Sequence, residues 1–200
     1  MGARPGPGSS WSGATAVACD GAGDFYVLEP AMSWVHRFSP AGKRISHFGR
    51  KGSADDPFGL PDAVDIAATP AFRAPSAGPQ GELVAVLLRE RQFGIHLFTP
   101  EGEALPPFPS RAETGRGGMQ IAVGADGAVY VACQGGIIEV FTRAGELKGR
   151  IDTGVAEPSA LAASADGLVY VLDARRRAIV GVSPRDGKAV LKTELPRGLR

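Results

Sequence analysis

An all-β propeller of four-stranded antiparallel blades, with four blades visible, is the fold class this sequence predicts. Three observations carry that reading. Residues 122–132, AVGADGAVYVA, return at 162–172 as AASADGLVYVL with seven of eleven positions identical, which marks a repeat period near forty. The phrase is one part of a larger unit whose third runs align at Phe38, Phe98, Phe141 and Val182, spaced 60, 43 and 41 residues apart. The runs LVYVL, AVYVA and LVAVLL are apolar at every position, so both faces of each sheet need cover, and a neighbouring blade supplies it.

Each unit repeats the same order of elements. An innermost run rich in small and β-branched residues comes first: AVACD from 16, AVDIAA from 63, MQIAVG from 119 and ALAAS from 160. A turn follows, written Asp126-Gly127 and Asp166-Gly167 in the third and fourth units, because a tight reversal needs positive φ and glycine adopts it freely. The second strand is β-branched and aromatic: DFYVL, ELVAVLL, AVYVA and LVYVL. The third ends at the Phe or Val anchor, and the glycine turns SPAGK, TPEGE, TRAGE and SPRDGK lead to the polar fourth strands RISHF, EALPPF, LKGRI and AVLKTEL. Pro106 and Pro107 suit an outermost edge, where a missing backbone donor faces water. The expected organisation is a disordered N-terminal segment over 1–13 and a propeller domain over 14–200. Its units run approximately 14–58, 59–112, 113–155 and 156–197, and TPAFRAPSAGPQG (69–81) is a surface loop in the second.

The stretch VHRFSPAGKRISHFGRKGSADDPFGLPDAVDIA, with Phe58 and Pro61 ahead of the next inner strand, resembles the third strand, turn, fourth strand and linker of NHL-repeat proteins. ALAASADGLVYVLDARRRAIVGVSPRDGK resembles the inner-strand-to-turn section of the same family, and the likeness covers nearly all of 14–195. It implies a propeller of the six-bladed group. The chain departs from the family pattern in DARRRAIV, where Asp, then Asn, then Arg is usual, and in showing four units instead of six. An incomplete six-bladed ring is favoured over a closed four-bladed one, and self-association follows if the ring is incomplete, because its end blades would expose apolar faces.

Composition narrows the function classes. A chain of 200 residues with 44% apolar content and net charge +1 makes one globular domain with no strong pull toward polyanions. No apolar run is long enough for a membrane span and MGARPGPGSSWSG has no apolar core, so a soluble, cytoplasmic protein is expected. Cys19 and Cys133 fit no metal-binding spacing and read as two buried free thiols; no metal and no cofactor is expected.

Strand parity assigns the loops to two rims. One carries the regular glycine turns between strands one and two and between three and four, which read as structural. The other is irregular, and its residues Trp34, Arg89, Arg91, Gln134, Arg175 and Arg176 make the candidate partner-binding site, since guanidinium forks and aromatic faces recognise proteins. His36, His96 and Glu139 share one slot in three units and read as inter-blade hydrogen bonds, while His47 faces solvent. No G-x-S-x-G, P-loop or dinucleotide fingerprint is present, GRGG at 115–118 reads as a blade link, and no catalytic residue is assigned. The functional expectation is a non-enzymatic propeller scaffold that binds a protein partner through the arginine-bearing rim. The resemblance implies two alternatives: a metal-dependent hydrolase, lactonase or lyase of the six-bladed group, and RNA binding. The absence of any Asn weighs against the first, and net charge +1 against the second.

Overall fold

The computed structural model describes residues 13–53, 56–70, 81–89, 94–109 and 118–196, and among these every sheet is antiparallel. Blade 1 holds β1 (Ala16–Cys19), β2 (Phe25–Glu29), β3 (Trp34–Phe38) and β4 (Arg44–Phe48) in sequential order. Blade 2 holds β5 (Ala63–Ala68), β6 (Val84–Leu88) and β7 (Ile95–Phe98). Blade 3 holds β8 (Gly118–Val123), β9 (Val129–Cys133), β10 (Ile137–Phe141) and β11 (Leu147–Asp152). Blade 4 holds β12 (Ala160–Ala163), β13 (Val169–Asp173), β14 (Ala178–Val182) and β15 (Ala189–Glu194). The expected fourth strand of blade 2 is reduced to two isolated bridges, Phe98 with Ala104 and Ile95 with Phe108. Pro106 and Pro107 lie between those bridges and have no N–H to extend the ladder. The N-terminal segment expected to be disordered lies outside the described residues except for Gly13, as do residues 71–80 of the expected surface loop.

The Asp-Gly turns differ in detail from a two-residue hairpin. Gly124 N–H donates to Ala128 O at 2.8 Å and Gly127 N–H to Gly124 O at 2.9 Å, and Gly127 has φ 77°. That is a three-residue loop closed by a left-handed glycine. Asp126 is not among the positive-φ residues; its carboxylate instead accepts from Ala128 N–H at 3.1 Å. Asp serves as a side-chain brace and only Gly supplies the left-handed step.

Three apolar clusters join the blades in series. Tyr26, Leu28, Val35 and Phe48 of blade 1 pack on Ile66, Val84, Val86 and Phe98 of blade 2. Ala85, Leu87, Ile95 and Leu97 of blade 2 pack on Ile121, Val123, Val131 and Phe141 of blade 3. Tyr130, Ile138, Val140 and Ile151 of blade 3 pack on Val169, Val171, Val180 and Val182 of blade 4. Strands β6 and β9 are buried at every position, as runs apolar on both faces require. At about 1.5–3 kcal/mol per fully buried aliphatic or aromatic side chain, these contacts are the main favourable term in the fold.

No such cluster joins blade 4 to blade 1 among the described residues, and the arc is open. Val17 on β1 is 66% exposed and Leu191 on β15 is 42% exposed. The closed four-bladed alternative is thereby set aside. The expectation of two buried thiols is corrected as well: Cys133 is buried between blades 2 and 3, but Cys19 is exposed because its face of β1 has no neighbouring blade. The described residues contain no helix long and apolar enough to cross a membrane.

Candidate functional site

The irregular rim carries the residues that sequence reading selects, one loop per blade. Trp34 opens β3 and is half-buried, its ring against His47 with centroids 4.8 Å apart and edge-on to His36 at 5.8 Å. Arg89 is exposed just after β6, and its N–H donates to Asp62 O at 3.1 Å. Gln134 is exposed in the β9–β10 turn. Arg175 pairs with Glu157 at 2.9 Å, and Arg176 donates to Gly154 O at 3.0 Å beside Asp173. Arg91 lies outside the described residues. These residues share a rim, but none of the described bonds links one blade's candidate to another's. The two blade 4 arginines are engaged in bracing their own loop and the link that precedes it.

The polar slot on the third strands is buried in all three copies, with His36, His96 and Glu139 at 3%, 0% and 0% exposure. Each copy has at least one polar partner. His36 Nε2 meets Glu29 Oε2 at 2.8 Å and Arg150 donates to Glu139 at 3.3 Å, each pair within one blade, while His96 Nδ1 faces Pro57 O of the first inter-blade link at 3.3 Å. Further polar bonds run between sheets. Arg37 donates to Pro100 O at 2.9 Å, and Arg143 donates to Gly81 O at 2.7 Å. Asp65 on innermost β5 accepts from Ile121 N–H of β8 at 2.9 Å. Sequence reading missed Asp65, yet a lone carboxylate in the run AVDIAA is a visible signal, since a charge among apolar neighbours needs a specific partner.

A cleft of about 1120 Å³ opens where blades 3 and 4 part, on the rim of the glycine turns. Sequence reading gives that rim turn chemistry alone. Gly127, Gly149 and Gly167 line it, and an added Cβ at any of the three would meet open space. Its polar lining includes Asp126, Tyr130, Lys148, Asp166 and Arg185, and Val140 and Ile151 give it an apolar side. Burial, reinforced by the nearby Asp126 charge, pushes the Tyr130 phenol up to about 12, further above neutral pH than an ordinary phenol, and it is a hydrogen-bond donor there. The cleft thus combines cations, a protonated phenol and apolar surface at a volume suited to an organic small molecule.

Metal chemistry finds no ready ligand set. Among the described residues there is no group of three or more His, Cys, Asp or Glu placed to hold an ion, and the histidine slots face separate partners on separate blades. The described residues therefore do not fit the calcium or zinc centre of the metal-dependent alternative.

Serial three- and four-stranded antiparallel sheets with their innermost strands side by side define an open arc of six-bladed-propeller type. Solved structures with this architecture include a streptogramin B lyase, at TM-score 0.62 and 13% identity over 92% of this chain and 55% of the lyase. A virginiamycin B lyase from Staphylococcus aureus is similar at TM-score 0.59 and 16% identity over 92% and 56% of the two chains. A hydrazine synthase from Kuenenia stuttgartiensis is similar at TM-score 0.60 and 15% identity over 97% and 53%. No protein-family model matches the sequence, and no curated protein matches it either. At these identities the likeness is one of fold, and this chain spans about half the length of each of those proteins. It supports the six-bladed-propeller type and does not single out the NHL-repeat group. It also corrects the functional expectation of a non-enzymatic scaffold. That reading leaned on the lack of a catalytic motif, but characterised lyases use this architecture, and a propeller gathers its reacting groups from loops of different blades, where no linear motif forms.

Proposed function

We propose that this chain is the four-blade arc of an enzyme that cleaves a carbon–oxygen bond in an ester- or lactone-bearing small molecule, by elimination as a lyase or by hydrolysis. The observation that carries the reading is the correspondence of 92% of the chain with lyase structures. The cleft between blades 3 and 4 supports it with room for such a molecule. In this reading the Tyr130 phenol donates to the substrate's carbonyl oxygen, Lys148 offsets the negative charge that develops there, and Val140 and Ile151 hold the apolar part. The repeat phrases that resemble the NHL group belong to the same proposal, as a finer placement within the six-bladed type.

Mass spectrometry of the purified protein incubated with virginiamycin B or quinupristin tests it, with a panel of simple lactones alongside. Elimination opens a lactone ring to an isomer of unchanged mass, resolved from the substrate by liquid chromatography ahead of the spectrometer, and hydrolysis adds one water. Turnover of any member, lowered about tenfold or more in Tyr130→Phe, is the expected result. A folded protein that turns over none of them would overturn the enzymatic reading.

A further inference from the structure

The second-strand tyrosines of blades 1 and 3 stand at equivalent places in their sheets. Tyr26 pairs across to Ala18 and Arg37, and Arg37 to Ser46; Tyr130 pairs across to Ala122 and Val140, and Val140 to Gly149. The turns ahead of them match as well. Asp20 N–H donates to Asp24 O at 3.0 Å and Gly23 N–H to Asp20 O at 3.1 Å, as Gly124 N–H does to Ala128 O at 2.8 Å and Gly127 N–H to Gly124 O at 2.9 Å. Asp20, Asp24 and Arg37 of blade 1 therefore correspond to Gly124, Ala128 and Val140 of blade 3.

In blade 1 that set closes over the phenol. The Tyr26 hydroxyl donates to Asp20 Oδ2 at 2.9 Å, and Asp20 Oδ1 accepts from Ala22 N–H at 3.0 Å and from Asp24 N–H at 2.9 Å. Arg37 donates to Asp24 Oδ2 from two nitrogens at 2.8 and 2.7 Å and reaches Pro100 O of blade 2 at 2.9 Å. Blade 3 keeps the tyrosine and has glycine, alanine and valine where those three polar partners stand. Tyr130 is only 4% exposed, lines the cleft together with Gly124, Ala128 and Val140, and makes no side-chain hydrogen bond among the described residues. A Cβ on Gly124 would lie 3.1 Å from Tyr130 Cε2 and 3.5 Å from its hydroxyl oxygen, so position 124 directly adjoins that hydroxyl. A buried hydroxyl without a partner is unfavourable, and the bond that the protein completes for itself in one copy is left in the other for a molecule in the cleft.

On the reading of this cleft as the substrate site, we propose that Gly124 is a positioning residue. By withholding the carboxylate that holds the Tyr26 hydroxyl in blade 1, it keeps the Tyr130 hydroxyl available to donate to an oxygen of the bound molecule.

Moving one carboxylate by two residues tests this. Gly124→Asp combined with Asp126→Ala rebuilds the blade 1 arrangement at unchanged net charge, because Ala22 stands where Asp126 does, and removes the Asp126 oxygen that would lie 2.7 Å from the new Cβ. Tyr130→Phe is then made in the parent and in the rebuilt protein. In urea denaturation it is expected to change the folding equilibrium constant less than about threefold in the parent and to lower it about tenfold or more in the rebuilt protein, where the hydroxyl has a carboxylate partner. In turnover of the ester or lactone, the rebuilt protein is expected to lose about tenfold or more, and adding Tyr130→Phe to it is expected to cost nothing further. Equal effects of Tyr130→Phe on folding in the two backgrounds overturn the assignment. So do additive losses of turnover, which mark a structural disturbance in place of a captured hydroxyl. Absence of turnover in the parent overturns the substrate-site reading, whereas the folding comparison holds or fails without it. Should the rebuilt protein not fold, the reciprocal move reads the same bond: Asp20→Gly with Ala22→Asp is expected to reduce the cost of Tyr26→Phe from about tenfold or more to less than about threefold. An unchanged cost there overturns the assignment.

Discussion

Asp65 shows how much one residue does in holding an open arc together. Its two carboxylate oxygens accept from Ile66 N–H and from Ile121 N–H, both at 2.9 Å, so it ties the innermost strand of blade 2 to that of blade 3. It lies at the register irregularity of β5 between Ala63 and Asp65, where the bulge turns the side chain toward the next sheet. Burial raises its pKa above the ordinary carboxylate value, outweighing the two backbone bonds that pull it down. The fold therefore binds this proton more tightly than the unfolded chain does. Its contribution to stability is fully present below the unfolded value and is lost as pH rises through the folded one. Asp65→Asn is expected to flatten that dependence in urea denaturation from the ordinary carboxylate range upward and to cost about 1–2 kcal/mol at neutral pH, because its amide nitrogen cannot accept from the second backbone N–H. Asp65→Ala is expected to cost about 1–3 kcal/mol, because two backbone donors lose their acceptor. The carboxylate was legible in the sequence; its partner, 56 residues away on another blade, was not.

At the scale of elements, the glycine turn between the third and fourth strands does two jobs, and only one is visible in the repeat. Gly42, Gly102 and Gly145 all have positive φ, at 77°, 90° and 84°, which the recurring turn phrase anticipates. The second job is close packing, since Gly102 and Gly145 lie against Phe48 and Phe108 of the preceding blade. Phe48 and Phe108 stand opposite Val35 and Ile95, at equivalent places on their sheets. Alanine at Gly42 is expected to cost about 1–2 kcal/mol from the left-handed backbone alone. Alanine at Gly102 or Gly145 is expected to cost about 1–3 kcal/mol more, because the added methyl overlaps an aromatic ring held in a packed interface. Equal losses in chemical denaturation for all three variants would show that the contact between blades carries no weight. The candidate site has the same history. Gly127 and Gly167 read as turn chemistry, and only the packing of blade 4 on blade 3 sets them with Gly149 along one cleft.

In the whole molecule, stability is expected to follow the number of covered faces. Blades 2 and 3 are packed on both sides, and β6, β7 and β9 are buried throughout. Blades 1 and 4 are packed on one side; β1 alternates between partial and full exposure and β15 is exposed along its length. Sheets stacked in series with nearest-neighbour contacts should open from the ends. Hydrogen exchange at low protein concentration is expected to protect amides of β6 and β9 at least tenfold more than those of β1, β12 and β15. Uniform protection across the four blades would show that the arc opens as one unit. Strand type, strand order, the repeat and the positions of the turns were written in the chain, the fourth strand of blade 2 excepted, because alternation, β-branching and glycine placement act over a few neighbouring residues. The open seam, the exposure of Cys19, the Glu29–His36 and Asp65–Ile121 bonds and the cleft were settled only in three dimensions. Each depends on how far one sheet rotates relative to the next, and that rotation is set by side chains on different blades, about forty or more residues apart, meeting at a single interface.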